Sequence, residues 1–156
     1  MRVSRKLSNN ATWINIDADE ITEKSKIYED YDIDPKIIEY ALDENEHAHM
    51  DYDREDGTVT FIYSVLESKK DKEYYETVPL TFIVQKNRLL TISNEDNDYI
   101  IQKMCAYVDG KEELSIYTLL FAGLEMISNA YYPVIERLDK QKDEINHLLR
   151  KKTTKR

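Results

Sequence analysis

Two histidines and two aspartates alternate along one short stretch of the chain, at His47, His49, Asp51 and Asp53. In a β-strand, alternate side chains point to the same face, and same-face neighbours are roughly 6.6 Å apart. A His-x-His pair on a strand can bind Zn²⁺ when a third ligand is supplied. The stretch therefore raises one chemical hypothesis, a metal-dependent hydrolase that uses His47, His49 and Asp51.

The rest of the sequence gives little support to catalysis. The remaining histidine, His147, lies far along the chain, and no matching Cys/His group occurs elsewhere. A row of polar residues on one strand face is equally typical of a sheet face in contact with water. The chain has only three glycines, all isolated, so it contains no Gly-rich phosphate loop. We therefore expect that the protein is not an enzyme.

The composition favours a soluble protein with one main core. The chain has 156 residues, of which 41% are hydrophobic. Its 31 acidic residues exceed its 22 basic residues, and the net charge is −9. Because nucleic-acid binding requires Lys and Arg against the phosphates, we expect no nucleic-acid partner. An acidic chain is better suited to cations or basic surfaces, although solubility alone explains the same charge.

The single cysteine, Cys105, cannot form a disulfide within the chain, which is typical of a reducing compartment. It falls in a predicted helix without an evident His partner, so we expect a buried structural thiol and not a nucleophile. The basic residues 1–6 are not followed by an apolar run and are not a signal peptide. No stretch approaches the ~20 apolar residues that cross a bilayer. We expect the chain itself to be soluble and cytosolic.

The elements that must position the His–Asp stretch begin with a short buried strand at 13–16 and a polar helix at 19–31. A strong helix start follows, because Asp34 can cap the helix, Pro35 fits the first helical position, and Ile33 can act as a hydrophobic staple. The inward apolar residues of this helix are Ile37, Ile38, Ala41 and Leu42.

A β-hairpin is predicted next. Asp56-Gly57 lies between two β-prone segments, which is a strong hairpin signal. Residues 59–66 are apolar on both parities, which indicates a central strand covered on both faces. Residues 68–72 are predicted to form an exposed loop.

A second strand pair and a helix complete the predicted domain. The strands are predicted at 78–84 and 89–92, and the helix at 98–108, ending at Asp109-Gly110 with Gly110 as its C-cap. The order of elements indicates an α+β fold, with a mixed, largely antiparallel sheet flanked by helices and followed by a long C-terminal helix.

The long helix is predicted at 115–150 and would run roughly 54 Å. Pro133 should kink it. Its second half carries a coiled-coil-like seam, and because that seam spans barely three heptads, we favour an antiparallel hairpin with a missing second arm over a homomeric coiled coil. We therefore divide the chain into an α/β domain at 1–110 and a long helix at 111–156. The seam residues are Ile127, Tyr131, Val134, Leu138, Ile145 and Leu148.

Taken in order, several segments resemble the cytosolic N-terminal domain of CorA-type magnesium transporters. Thr12-Trp13-Ile14-Asn15-Ile16 is similar to the family's opening strand, and the segment after Tyr131-Tyr132 is similar to its long helix. The order and spacing of the segments carry the resemblance, which covers roughly Trp13 to the C-terminus. The segments are 12–16, 33–35, 41–47, 51–53, 89–93 and 131–139.

The resemblance implies a mixed sheet flanked by helices, then a stalk helix and two membrane helices, the first of which ends in Gly-Met-Asn. This chain contains neither that signature nor a membrane segment. It would therefore be the cytoplasmic domain of a cell-membrane protein, cut within the helical hairpin that precedes the stalk. The resemblance also implies a homopentamer that meets the membrane through the missing C-terminal region.

A regulatory Mg²⁺ between neighbouring subunits is a further implication of the resemblance, with Co²⁺ or other divalent cations as related ligands. The family's regulatory acid falls at Tyr40 of this sequence, which is not a carboxylate. Its acidic neighbours Glu39, Asp43 and Glu44 are the expected ligands, and the partner acid would lie beyond Arg156. Mg²⁺ keeps several waters, so a few carboxylates across a subunit contact suffice for a weak site.

We therefore predict the Mg²⁺-sensing cytosolic domain of a CorA-like divalent-cation transporter. An alternative from another class is a soluble homo-oligomeric adaptor that assembles through residues 127–148 of the long helix. The hydrolase that uses His47, His49 and Asp51 is the third hypothesis.

Overall fold

A computed structural model of the chain describes residues 1–22, 24–68 and 75–153. In the described residues, six strands and four α-helices follow one another, with short 3₁₀ turns at Ser8–Asn10 and Ala18–Glu20. These elements are β1 Val3–Lys6, β2 Thr12–Asp17, α1 Lys24–Tyr31, α2 Pro35–Leu42, β3 His49–Tyr52, β4 Val59–Leu66, β5 Thr77–Gln85, β6 Arg88–Ser93, α3 Asp98–Asp109 and α4 Ile116–Thr153.

All six strands form one mixed sheet, in the order β1-β2-β6-β5-β4-β3. The pair β2–β6 is parallel, whereas every other neighbouring pair is antiparallel. The predicted α+β class is therefore confirmed. The parallel pair joins two segments that are far apart in sequence, while the antiparallel pairs β3–β4 and β5–β6 are closed by short turns.

The core lies on both faces of the sheet. Leu89 belongs to the hydrophobic cluster beneath α3 and α4, whereas the next residue, Leu90, belongs to the cluster beneath α1 and α2. Successive side chains of a strand point to opposite faces, so this alternation shows that the central strands are covered twice. The face that bears on the functional site is the one covered by α2, where Ile38 is completely buried.

A buried polar network ties β2 to β6. The Trp13 indole Nε1 donates a hydrogen bond to Thr91 Oγ1 at 3.0 Å, and Thr91 Oγ1 donates to Asn15 Oδ1 at 2.7 Å. Asn15 Nδ2 in turn donates to Ser93 Oγ at 2.8 Å. Because buried polar groups are costly without partners, this chain of bonds specifies the parallel register as well as stabilising it.

Several predicted boundaries differ from the observed ones. The helix predicted at 19–31 is a 3₁₀ turn followed by α1, and β1 was not predicted at all. The long helix begins one residue later than predicted and runs on to Thr153, and it continues through Pro133.

Gly110 is the C-cap of α3, as predicted, with an ordinary φ of −89°. Most of the predicted loop at 68–72 lies outside the described residues.

Candidate metal site at the end of helix α2

Helix α2 forms where its first residues provide an N-cap and a proline suited to the first turn. Asp34 is the N-cap, and its Oδ1 accepts a hydrogen bond from the backbone N–H of Lys36 at 2.9 Å. Pro35 lies at the start of the helix, where its missing N–H costs nothing. Ile38 and Ala41 are buried against the sheet, so the opposite side of the helix faces solvent.

The carboxylates predicted to bind Mg²⁺ lie along and just beyond the C-terminal half of α2. Glu39, Asp43 and Glu44 are all exposed. Asp43 caps the helix end, and its Oδ1 accepts a hydrogen bond from the backbone N–H of Asn45 at 2.9 Å. These exposed carboxylates can bind a hydrated cation. Mg²⁺ keeps several of its waters, so one or two carboxylate oxygens are enough to bind it.

Tyr40, which the resemblance in the sequence analysis placed at a regulatory acid, has a packing role in this chain. Its ring meets the His49 ring edge-on, with centroids 5.3 Å apart and an interplanar angle of 87°. His49 Nδ1 lies 2.8 Å from the His47 carbonyl oxygen and 3.4 Å from Glu46 Oε1. Because a carbonyl oxygen only accepts hydrogen bonds, Nδ1 carries the proton. The Tyr40–His49 contact therefore attaches α2 to β3.

The zinc group that the His-x-His pattern predicts is not assembled. β3 begins at His49, so His47 precedes the strand, and Asp51 Oδ1 is engaged by the backbone N–H of Tyr52 at 2.8 Å. Over residues 1–22, 24–68 and 75–153, no group of three or more His, Cys, Asp or Glu side chains is placed to hold a metal ion. A metal bound to this face would therefore need ligands from beyond these described residues, or mostly water.

A second acidic feature was missed by the sequence reasoning. Five aspartates line a cavity of about 430 Å³ between the start of α2 and the β3–β4 hairpin. We call it the aspartate cavity, and the five are Asp32, Asp34, Asp51, Asp53 and Asp56. The alternation of Asp51 and Asp53 in the sequence indicated part of this feature. No pattern of neighbouring residues indicated that Asp32 and Asp34 would line the same cavity.

The hairpin aspartates accept hydrogen bonds from the backbone of their own turn. Asp53 Oδ1 accepts a hydrogen bond from the Glu55 N–H at 2.8 Å, and Asp56 Oδ1 accepts one from the Thr58 N–H at 2.8 Å. The bond from Thr58 lowers the pKa of Asp56 below its ordinary value, because it favours the ionised form. One oxygen of each carboxylate is thus engaged by the turn.

The free thiol lies away from both acidic features. Cys105 is partly buried in α3, and burial raises its pKa above the ordinary value, outweighing the Arg5 guanidinium that lowers it. A thiol with a raised pKa is a weak nucleophile at neutral pH. The sequence analysis expected a buried thiol, whereas Cys105 is only partly buried.

Helix α4 divides into a buried half and an exposed half. Ile116, Leu119 and Ile127 pack into the core, and the Tyr131 hydroxyl donates a hydrogen bond to the Ser64 carbonyl at 2.6 Å. Beyond Tyr131 the apolar side chains are open, with exposed fractions of 52% at Leu138, 56% at Ile145 and 59% at Leu148. Ile127, which the sequence analysis assigned to the seam, is therefore buried in the core. The exposed part of the seam begins after Tyr131.

None of the helices in the described part of the chain is both long and apolar enough to cross a membrane.

Comparison with known proteins identifies one family. The sequence model of the family described as CorA-like Mg²⁺ transporter protein matches residues 8–156. Among curated proteins, no sequence matches the chain.

Several solved structures share the fold, and three of them are described here. The soluble domain of CorA from Methanocaldococcus jannaschii is 22% identical, with a TM-score of 0.66, and the match covers 89% of this chain and 55% of that one. The complete CorA magnesium transporter of the same organism gives the same identity and TM-score, with 44% of that chain covered. The ZntB cytoplasmic domain from Vibrio parahaemolyticus is 9% identical, with a TM-score of 0.69 over 86% of this chain and 54% of that one. The chain thus spans about half the length of these proteins.

Proposed function

Since this chain belongs to the family of CorA-like Mg²⁺ transporter proteins, we propose that it is the cytosolic, Mg²⁺-sensing domain of a divalent-cation transporter. The observation that carries the proposal is the family match over residues 8–156, together with the fold of the CorA soluble domain.

We further propose that the membrane-spanning part lies outside this chain and that the domain faces the cytoplasm. Two observations support the first part of this proposal, that the membrane-spanning part lies outside this chain. The chain covers 44% of the complete CorA magnesium transporter. The exposed apolar residues Leu138, Ile145 and Leu148 give α4 a face on which a following helix of the same protein can pack.

The sensing site would lie where Glu39, Asp43 and Glu44 meet an acidic residue of a neighbouring subunit in a homopentamer. Glu39, Asp43 and Glu44 are exposed and supply hard oxygen ligands. Within the described part of one chain they form no three-ligand group. A weak site completed by a second subunit and by water fits both facts, and it couples Mg²⁺ binding to assembly. Co²⁺ or another divalent cation that accepts oxygen ligands would act at the same place.

Thermal unfolding with added Mg²⁺ tests this proposal. For a Kd of about 1 mM, 20 mM Mg²⁺ stabilises the folded state by about 1.8 kcal/mol. In a domain of this size, that free energy raises Tm by roughly 4–7 °C. We expect this rise in the 156-residue chain, together with association measured by sedimentation. The triple variant Glu39→Gln, Asp43→Asn, Glu44→Gln should lose both responses, and asparagine at position 43 retains the side-chain oxygen that accepts from Asn45.

The matched control removes three exposed carboxylates from the far half of α4, by Glu136→Gln, Asp143→Asn and Glu144→Gln. It should respond to Mg²⁺ like the parent chain at the same ionic strength. An unchanged Tm in the parent, or an equal loss in both triple variants, would contradict Mg²⁺ sensing by α2.

A second candidate function is a homo-oligomeric adaptor that assembles through α4, which the exposure of Leu138, Ile145 and Leu148 favours. Under the transporter proposal we expect the metal-free chain to be monomeric in sedimentation, because the seam lacks the length of a stable coiled coil. A stable oligomer that forms without metal and dissociates on Leu138→Lys would instead support the adaptor. Glu136→Lys, a charge change at a position outside the seam, is the control for Leu138→Lys.

A further inference from the structure

The surroundings of helix α4 change at Pro133. Up to Tyr131 the helix is fixed to the domain, where the Tyr131 hydroxyl donates a hydrogen bond to the Ser64 carbonyl at 2.6 Å. Val134 is still partly buried, but every residue at 135–153 is exposed. We call residues 135–153 the α4 arm. The boundary between the anchored part of the helix and its arm thus falls within one turn of Pro133.

Pro133 weakens the helix at this boundary. A proline has no backbone N–H, so the Asn129 carbonyl lacks the donor that the fourth following residue supplies elsewhere in an α-helix. Bends in long helices concentrate at such positions. Because α4 continues through Pro133, its two parts are joined by a helical turn that bends more easily than the turns before and after it.

The turn that carries Pro133 also borders a space and not a close-packed core. A cavity of about 460 Å³ lies between α4, α3, the end of β4 and the start of β5. Close-packed interiors resist displacement, whereas residues beside a cavity lack some of those contacts. Little packing therefore opposes a tilt of the arm at this turn. The residues of α4 that line the cavity are Asn129, Ala130, Pro133 and Val134.

Arg137 connects the arm to the domain beside this cavity. It lies four residues after Pro133, and therefore on the same side of α4. Its guanidinium carbon Cζ is 5.8 Å from the centre of the Tyr75 ring, and Tyr75 lines the cavity. A tyrosine ring attracts a guanidinium, and at an exposed site this attraction changes an equilibrium by only about two- to fivefold. Such a contact favours one position of the arm without locking it.

We propose that Pro133 is a hinge about which the α4 arm moves as a rigid helix, and that the Arg137–Tyr75 contact holds the arm in the position that the structure shows. Release of the contact lets the arm swing away from the cavity. The exposed apolar residues Leu138 and Ile145 move with the arm, so the hinge sets the direction in which α4 presents its seam. The hinge does not rest on Mg²⁺ binding by α2.

Double electron–electron resonance between two spin labels tests the hinge in the 156-residue chain. The labels are attached at Lys86→Cys, in the β5–β6 turn, and at His147→Cys, in the arm, both of which are exposed positions. Cys105→Ala removes the native thiol from this background. We expect two populations of label–label distance. Pro133→Ala supplies the missing N–H and should merge them into one narrow population.

Two substitutions test the contact separately from the hinge. Arg137→Gln and Tyr75→Leu should each lower the ratio of the held to the released population by about two- to fivefold. Because both remove the same interaction, the double variant should lower the ratio no further than either single variant. The matched control is Lys142→Gln, which removes a cation that pairs within the arm, with Asp139, and should leave the ratio unchanged.

A second label pair controls for motion elsewhere in the domain. Labels at Lys86→Cys and Glu125→Cys, an exposed position in the anchored part of α4, should give one population in every variant. Circular dichroism confirms that each variant folds. The proposal is overturned by a single narrow population in the parent chain, by two populations that Pro133→Ala leaves unchanged, or by an equal shift in Lys142→Gln.

Discussion

Replacement of Trp13 by alanine is expected to lower the free energy of unfolding by about 3–5 kcal/mol, which is typical for the loss of a large buried aromatic side chain. Trp13 is completely buried in the cluster beneath α3 and α4, on a strand that pairs with β6 in the middle of the sheet. The change also removes the indole donor from Thr91 Oγ1, which lies 3.0 Å away. Domains of this size are stable by only about 5–15 kcal/mol, so the loss is a large fraction of the total.

Urea denaturation followed by circular dichroism measures this effect. Tryptophan fluorescence cannot be used, because Trp13 is the only tryptophan of the chain. Trp13→Phe is the matched control: it retains most of the apolar area, loses the Thr91 hydrogen bond, and should cost about 1–3 kcal/mol. A loss below about 1 kcal/mol for Trp13→Ala would show that β2 contributes little to the core, against the burial described above.

Gly123→Leu is expected to destabilise the domain by about 3 kcal/mol or more, because it overfills the contact between α4 and the sheet. A Cβ atom at position 123 would lie 3.1 Å from Met104 Sδ and 3.1 Å from Phe82 Cε1. Both neighbours are completely buried and have no solvent into which to move. The remaining leucine atoms can be accommodated only if α4 shifts away from α3. The loss should appear as a lower midpoint in urea denaturation.

Gly110→Ala is the control for the added side chain. A Cβ atom at position 110 meets only the backbone oxygens of Ala106 and Tyr107, at 3.6 and 3.8 Å, which are ordinary contact distances. The φ angle of Gly110 is −89°, which alanine adopts without strain. We therefore expect a change within about 0.5 kcal/mol at this position. Equal effects at positions 110 and 123 would contradict the close packing at Gly123.

Stability of the core matters for the proposed function because the core positions both acidic features. α2 carries Glu39 and reaches the rest of the molecule through Ile38, which packs on β5 and β6 residues, and through the Tyr40–His49 contact. The aspartate cavity depends on the same helix and on the β3–β4 hairpin. Variants at Trp13 or Gly123 should therefore weaken cation responses only as far as they unfold the chain, whereas variants of the carboxylates should act in the folded state.

Local sequence signals predicted the elements that depend on neighbouring residues. Asp34 and Pro35 predicted the start of α2, and the structure has the cap and the proline where they were expected. Asp56-Gly57 predicted the hairpin turn, and Gly57 has the positive φ of 78° that favours glycine there. The apolar parity of β4 predicted a strand with covered faces. These signals are reliable because capping and turn geometry are decided over three or four residues.

The start of the chain and the helix at 19–31 were predicted less well. Val3–Lys6 carries charged residues and has little periodic signal of its own, and it becomes β1 only because β2 is present to pair with it. The predicted helix has a weak apolar face, so its first part forms a 3₁₀ turn at Ala18–Glu20. In both places contacts with distant residues outweigh weak local preferences.

The sequence alone predicted the fold class and the family resemblance, because the order of the segments along the chain carries that information, and the resemblance in turn pointed to the carboxylates Glu39, Asp43 and Glu44. Only the tertiary structure decided which acidic residues share a cavity. Asp34 and Asp51 are separated by a helix and a turn, and they line one space because α2 packs over the face of the sheet that Asp51 shares with Thr60. Whether such distant residues lie close together depends on long-range packing and strand register, which no local pattern of residue types encodes.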